Sequence, residues 1–180
     1  MEYFNTYFNR IHKACQTIDQ PFLDAVQHII TRVKKEDKKI IIAGNGGSAA
    51  LASHVSVDFT KTAGIRSTTF SDADLITCFA NDFGYEQWLA AAIEYYAHPG
   101  DAIILVSSSG TSPNMIEAAK TSLAMELDLI TFSGFSSDNP LRTYGHANAW
   151  VDSKEYNIVE MTHHIWLLAI MDNHITLQSS

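Results

Sequence analysis

Residues 40–48 read Ile40-Ile41-Ile42-Ala43-Gly44-Asn45-Gly46-Gly47-Ser48, an apolar run that passes straight into glycines. Uniform apolarity without alternation marks a strand covered on both faces, and the Ala- and Leu-bearing stretch that follows is helical in character. The unit is strand, glycine loop, helix. It is repeated at Ala102 to Val106, which leads into Ser107-Ser108-Ser109-Gly110-Thr111-Ser112-Pro113 and a helix starting near Asn114, Pro113 being suited to a first helical turn. A third copy runs from Leu129 to Phe132 into Ser133-Gly134, and shorter strands are expected near Thr68 to Phe70 and near Ala149 to Val151. Strands alternating with helices predict a doubly wound α/β fold, a three-layer sandwich around a parallel sheet of about five strands.

Upstream, Phe4, Phe8, Ile11, Cys15 and Ile18 recur at helical spacing, and Phe22, Val26, Ile29, Ile30 and Val33 repeat the pattern after Pro21. Residues 1–37 therefore form a helical hairpin with two apolar stripes. Two stripes exceed what one side of a small core needs, so part of this surface is expected to lie against another subunit. At the other end, Ile158 to Ile175 is apolar on more than one face and predicts a buried helix. The whole chain, 1–180, is read as a single domain, since 180 residues with 46% hydrophobic content suffice for one core.

A net charge of -8 gives no electrostatic footprint for nucleic acid or an anionic membrane. Cys15 and Cys78 have neither disulfide-framework nor zinc-ligand spacing, no run of about 18 apolar residues occurs, and no export signal opens the chain. The expectation is a cytoplasmic protein.

Ligands of open α/β sheets bind where strands give way to helix N-termini. In the first loop glycines let the backbone approach an anion, and Ser48 can cap the helix or meet a ligand oxygen. In the second, hydroxyls at Ser107, Ser109, Thr111 and Ser112 surround Gly110, more than one cap requires and enough to wrap a phosphomonoester. A nucleotide P-loop is excluded, because no Gly-Lys-Ser/Thr follows either loop. Gly44-x-Gly46-x-x-Ala49 satisfies a dinucleotide fingerprint formally but leaves the serine loop unexplained.

Ala43-Gly44-Asn45-Gly46-Gly47-Ser48 followed by His54, then Ala80-Asn81-Asp82-Phe83-Gly84, then Ser107-Ser108-Ser109-Gly110-Thr111-Ser112 resembles the sugar isomerase (SIS) domain family. Within that family the pattern is similar to the phosphoheptose isomerases, which convert sedoheptulose 7-phosphate to a heptose phosphate. The resemblance implies a flavodoxin-like fold with a five-stranded parallel sheet, a sugar phosphate at the strand ends, and homodimers or homotetramers built partly on the N-terminal helices. It also implies that Ser107, Ser109 and Ser112 hold phosphate in a loop completed by Ser108, Gly110 and Thr111. Asn45, Gly46, Ser48 and Asp82 then face the sugar.

Isomerisation through an enediolate needs a base, an acid and support for an oxyanion. The family's His and acidic residue four apart fall on His54 and Asp58, with Asp standing where phosphoheptose isomerases carry Glu. Its later Gln and His, eight apart, fall on Val159 and Leu167 when the chain is aligned through Glu160. These four positions can also hold zinc in the family. With two of them apolar here, a four-ligand zinc site is not expected. Glu160 and His164 share a helical face at i and i+4 and offer an alternative acid–base pair. The resemblance thus implies a phosphosugar isomerase with Asp58 or Glu160 moving the proton and His54 assisting. The alternative is a non-catalytic SIS protein that binds a sugar phosphate or a protein such as the bacterial replication initiator.

Overall fold

Parallel pairing of β1 (Ile40–Gly44) with β3 (Ala102–Ser107), in the register Ile40↔Ala102 to Gly44↔Val106, forms the middle of the sheet. β2 (Ser67–Thr68), β4 (Asp128–Ser133) and β5 (Ala147–Trp150) complete it, all parallel, in the order β2-β1-β3-β4-β5. This computed structural model describes residues 1–178. The five-stranded α/β sandwich expected from the sequence is the fold observed. β2 is only two residues long and starts one residue before the expected span, because an edge strand has a partner on one side alone.

Helices cover both faces. α2 (Gln20–Lys35), α3 (Gly47–Lys61) and α7 (Tyr156–Gln178) pack Val26, Ile30, Val55, Phe59, Trp166 and Leu167 against Ile40, Ile42 and Ile104 of the sheet. On the opposite face α5 (Trp88–Tyr96) and α6 (Pro113–Ala124) bury Leu89, Ile93, Met115 and Ala119 against Ile41, Ile103 and Leu129. α4 (Ala73–Phe83) precedes α5, separated by a connection that includes Gly84. α2 starts with Asp19 accepting from the Phe22 N–H at 2.8 Å and with Pro21 in its first turn, a strong stop-and-start signal after α1 (Glu2–Cys15).

The two N-terminal stripes have different fates. That of α2 is buried on the sheet, whereas α1 buries no residue and leaves Phe4 and Phe8 56% and 60% exposed. α1 rests on α7, where Trp166 Nε1 donates to the Cys15 carbonyl at 2.9 Å. α7 is less enclosed than its composition suggested: Met161 and Ile165, one turn apart, face outward. No helix among the described residues is long and apolar enough to cross a membrane.

His163 of α7 is fully buried behind β4, between the rings of Phe132 and Trp166, and its Nε2–H donates to the Ser133 carbonyl at 3.0 Å. Burial pushes its pKa down from 6.5 to about 4, the Ser133 bond opposing only in part. The unfolded chain therefore binds this proton first. The stabilising contribution of the neutral ring is complete above about pH 6.5 and drains away as pH falls toward about 4, a loss of about 3 kcal/mol. Urea unfolding across that window should show a steep loss of stability, and His163→Gln should flatten it relative to the unaltered protein.

Candidate functional site

The strand order reverses direction at β1 and β3, so the loops leaving them diverge and open a cleft at the carboxyl edge of the sheet. Each loop ends in a helix whose capping residue makes no side-chain bond to it: Gly46 has no side chain to offer α3, and the Ser112 hydroxyl does not cap α6. In α3 the Ser48 and Ala49 amides bond to the Asn45 and Gly46 carbonyls at 3.0 Å, and in α6 Pro113 has no N–H and Met115 bonds to the Ser112 carbonyl, which leaves the Gly47 and Asn114 amides to face a ligand. The backbone geometry demands glycine at two points. Gly110 has φ +66° and leaves its side-chain space to the Asn139 amide, while a Cβ on Gly47 would overlap the Glu160 carboxylate.

Between the loops lies a cavity of about 310 Å³. Its walls are Asn45, Gly46, Gly47 and Ser48 from the first loop, Val106, Ser107, Ser108, Ser109 and Ser112 from the second, and Tyr156 and Glu160 from α7. Five serine hydroxyls converge there, with no lysine or arginine. Ser107 Oγ accepts from the Gly110 N–H at 3.3 Å, and Ser109 Oγ takes the Thr111 N–H and hydroxyl at 3.3 and 3.0 Å. Ser108 Oγ is buried without a partner among the described residues, a polar atom that a ligand oxygen in the cavity would satisfy. A larger apolar groove of about 710 Å³, between α2 and α7, lacks a comparable convergence of hydroxyls.

Seven of the ten expected ligand residues line the cavity: Asn45, Gly46, Ser48, Ser107, Ser108, Ser109 and Ser112. Gly110 and Thr111 do not, since one is the loop pivot and the other turns its hydroxyl inward to Ser109. Asp82 does not either. It sits on the last turn of α4, exposed, with its carboxylate bonded to the Asn81 amide at 2.9 Å. Asn45 has a task its sequence context did not announce, exchanging two 2.9 Å hydrogen bonds with the buried amide of Asn114 and so tying one loop to the other. Tyr85 Oη adds a bond to Asn45 Oδ1 at 3.4 Å.

Of the four expected acid–base residues, only Glu160 reaches the cavity wall, and burial raises its pKa above the usual 4.5. Asp58, His54 and His164 form a separate chain between α3 and α7. His54 Nε2 lies 3.2 Å from Asp58 Oδ2, and His54 Nδ1 lies 2.8 Å from His164 Nε2, the imidazoles standing at 87°. With Asp58 accepting from Nε2–H, His54 Nδ1 takes the His164 proton. Burial, then the neighbouring His54, lowers the His164 pKa. A four-ligand zinc site does not fit these residues. Val159 and Leu167 are core side chains without a donor atom, both nitrogens of His54 are engaged, and no cluster of three or more suitable metal ligands exists among the described residues.

Sequence reading did not single out Asn114, Asn139, Gly47 or Tyr156. The only available signals were an amide at the start of α6 and an aromatic ring one turn before Glu160.

The sheet order and its ligand cleft place the molecule among flavodoxin-like doubly wound α/β proteins. Residues 2–134 match the SIS domain family, and the chain belongs to it. It is similar to the phosphoheptose isomerase of Aliarcobacter butzleri, 34% identical over 139 residues that cover 73% of this chain and 72% of that one. It is likewise 34% identical to the phosphoheptose isomerase of Fusobacterium nucleatum over 116 residues, 62% of this chain and 60% of the relative. Among its first curated relatives the matched part thus spans about 60% of their length. In fold it follows the phosphoheptose isomerase of Neisseria gonorrhoeae, with TM-score 0.86 at 22% identity over 96% of this chain and 98% of that one. It also follows the Vibrio vulnificus NanR protein complexed with ManNAc-6P, with TM-score 0.69 at 16% identity over 97% and 61%.

Removing two cavity hydroxyls together, in Ser109→Ala with Ser112→Ala, should weaken sugar-phosphate binding by about 1–3 kcal/mol, as expected for bonds to a charged group. Calorimetric titration measures it, and unchanged affinity contradicts the assignment.

Proposed function

We propose that this protein is an aldose–ketose isomerase of a sugar phosphate, of the phosphoheptose isomerase type. The observation that carries the reading is the meeting of Glu160 and the serine loop in one cavity. Hydroxyls and helix amides take the phosphoryl oxygens, while the Glu160 carboxylate, whose pKa burial raises, faces them as the proton-exchanging group. Glu160 removes the hydrogen from the carbon beside the carbonyl and returns it to the neighbouring carbon. The enediolate formed between these steps carries negative charge that the open N-terminus of α3, at Gly46 and Gly47, would offset. His164, one turn along α7 from Glu160, turns to His54 and lies outside the cavity lining, so the proton that passes between the two substrate oxygens moves within the enediolate itself.

A second reading is supported by Val159 and Leu167. Apolar core residues at two polar positions of the family pattern suit a protein that holds a sugar phosphate, or a protein partner such as the replication initiator, without turnover. The NanR relative is described as complexed with ManNAc-6P, which is binding. The proposal further places the protein in the cytoplasm as one domain, assembled as a homodimer or homotetramer through the exposed face of α1.

Incubation with sedoheptulose 7-phosphate in deuterated water should introduce deuterium at the reacting carbon. Glu160→Gln should slow this by about a hundredfold or more while phosphate affinity persists. Absence of exchange with every ketose phosphate of five to seven carbons, alongside intact binding, selects the second reading. For assembly, Phe4→Glu with Phe8→Glu should reduce the mass seen by sedimentation to that of one chain, and an unchanged mass removes α1 from the interface.

A further inference from the structure

Two helix N-termini meet at the serine cavity, that of α3 after Gly46 and that of α6 after Ser112, and each carries the partial positive charge of its backbone dipole. The fold thus offers two places for an anion. They are furnished differently. The loop into α6 brings the hydroxyls of Ser107, Ser109 and Ser112, with Ser108 Oγ buried and without a partner among the described residues.

At α3 a carboxylate is already in place. Glu160 reaches in from α7, and a Cβ on Gly47, the first residue of α3, would overlap its carboxylate, with Oε1 2.9 Å away and Oε2 closer still. Both oxygens therefore rest against the backbone at the start of α3, in space that a side chain would otherwise fill. No lysine or arginine lines the cavity, and burial alone shifts the carboxyl pKa, upward, with no cation or hydrogen bond pulling the other way.

The start of α3 also meets one negative charge at each stage of the isomerisation. At first the charge is on Glu160; when Glu160 takes the proton, the C–H electron pair passes into the enediolate and the charge moves to the substrate oxygen. A second phosphate beside the reacting carbons would add about two more negative charges at the same place.

We infer that Glu160 determines specificity as well as exchanging the proton, and restricts the cavity to sugars that carry a single phosphate. The inference rests on phosphate occupying the serine loop. A carboxylate and a phosphate side by side repel strongly in a partly desolvated cleft, and like charges brought together without a cation reject a wrong partner. The rejection has a chemical use. A ketose esterified at C1 has no free hydroxyl there to become the aldehyde, so it could only block the cavity.

The heptitol 7-phosphate and heptitol 1,7-bisphosphate made by reducing the corresponding ketoses test this, because they share one carbon chain, cannot close a ring and cannot be turned over. In calorimetric titration the unaltered protein should bind the bisphosphate at least about tenfold more weakly than the monophosphate. Glu160→Gln, which keeps the size of the side chain and removes its charge, should narrow that gap to within about threefold, chiefly by tightening the bisphosphate. Retained binding of the monophosphate shows that the variant is folded. Equal affinities in the unaltered protein overturn the inference without any variant, and a gap that Glu160→Gln leaves intact overturns it by showing that size, not charge, excludes the second phosphate. Inorganic phosphate is titrated in parallel. If the unaltered protein binds neither it nor the heptitol 7-phosphate, the phosphate site falls and the selective role of Glu160 with it; where the heptitol 7-phosphate binds, the comparison with the bisphosphate decides that role alone.

Discussion

Two carboxamides facing each other across the end of the sheet hold the site together. Asn45 and Asn114 each give and receive one hydrogen bond, and through them the glycine loop and the first turn of α6 keep a fixed separation. Asn114 is almost fully buried, so losing either partner strands a desolvated amide at a cost of about 1–3 kcal/mol. Without that tie the two helix starts would be free to drift, and hydroxyls useful only in concert would no longer converge. The remaining braces act on the same loops: Asn139 fills the space Gly110 leaves open, and its amide donates to the Ser133 hydroxyl and to the carbonyls of Gly134 and Ser136.

α7 divides the chemistry between two places. Glu160 points to the cavity, where Gly47 alone is small enough to admit its carboxylate. His164 turns instead to His54, whose other nitrogen faces Asp58. Val159 and Leu167 on the same helix are committed to the core, so α7 gives one carboxylate to the cavity and one imidazole to the pair with His54. The part of the chain that matches the family, residues 2–134, contains the serine loop, whereas α7 lies beyond it.

Much of the fold was legible because its signals are local. Ile40-Ile41-Ile42 cannot be mistaken for a half-exposed strand, and Asp19 with Pro21 announces the start of α2. β2 and β5 were displaced by one or two residues, since short strands at the edge end where pairing ends rather than where the sequence changes. The site was legible only where a loop carries its own chemistry, as at Ser107 to Ser112. Asn45 reads as a turn former or a ligand; that it pairs with Asn114, 69 residues away, depends on the sheet register. The 110-residue separation of His54 and His164 hides their contact in the same way. Asp82, a motif residue, lies on the last turn of α4 outside the cavity lining, a placement that the sequence pattern alone does not give.

The absence of a fixed cation in the cradle has a further consequence. Lysine and arginine can only donate, so a pocket built on them prefers an ester stripped of its last proton. A hydroxyl rotates and can give or take, and a phosphomonoester loses its second proton near pH 6. A cradle of serines can therefore reverse individual bonds as its guest gains or sheds that proton, and hold both ionic forms without moving a heavy atom.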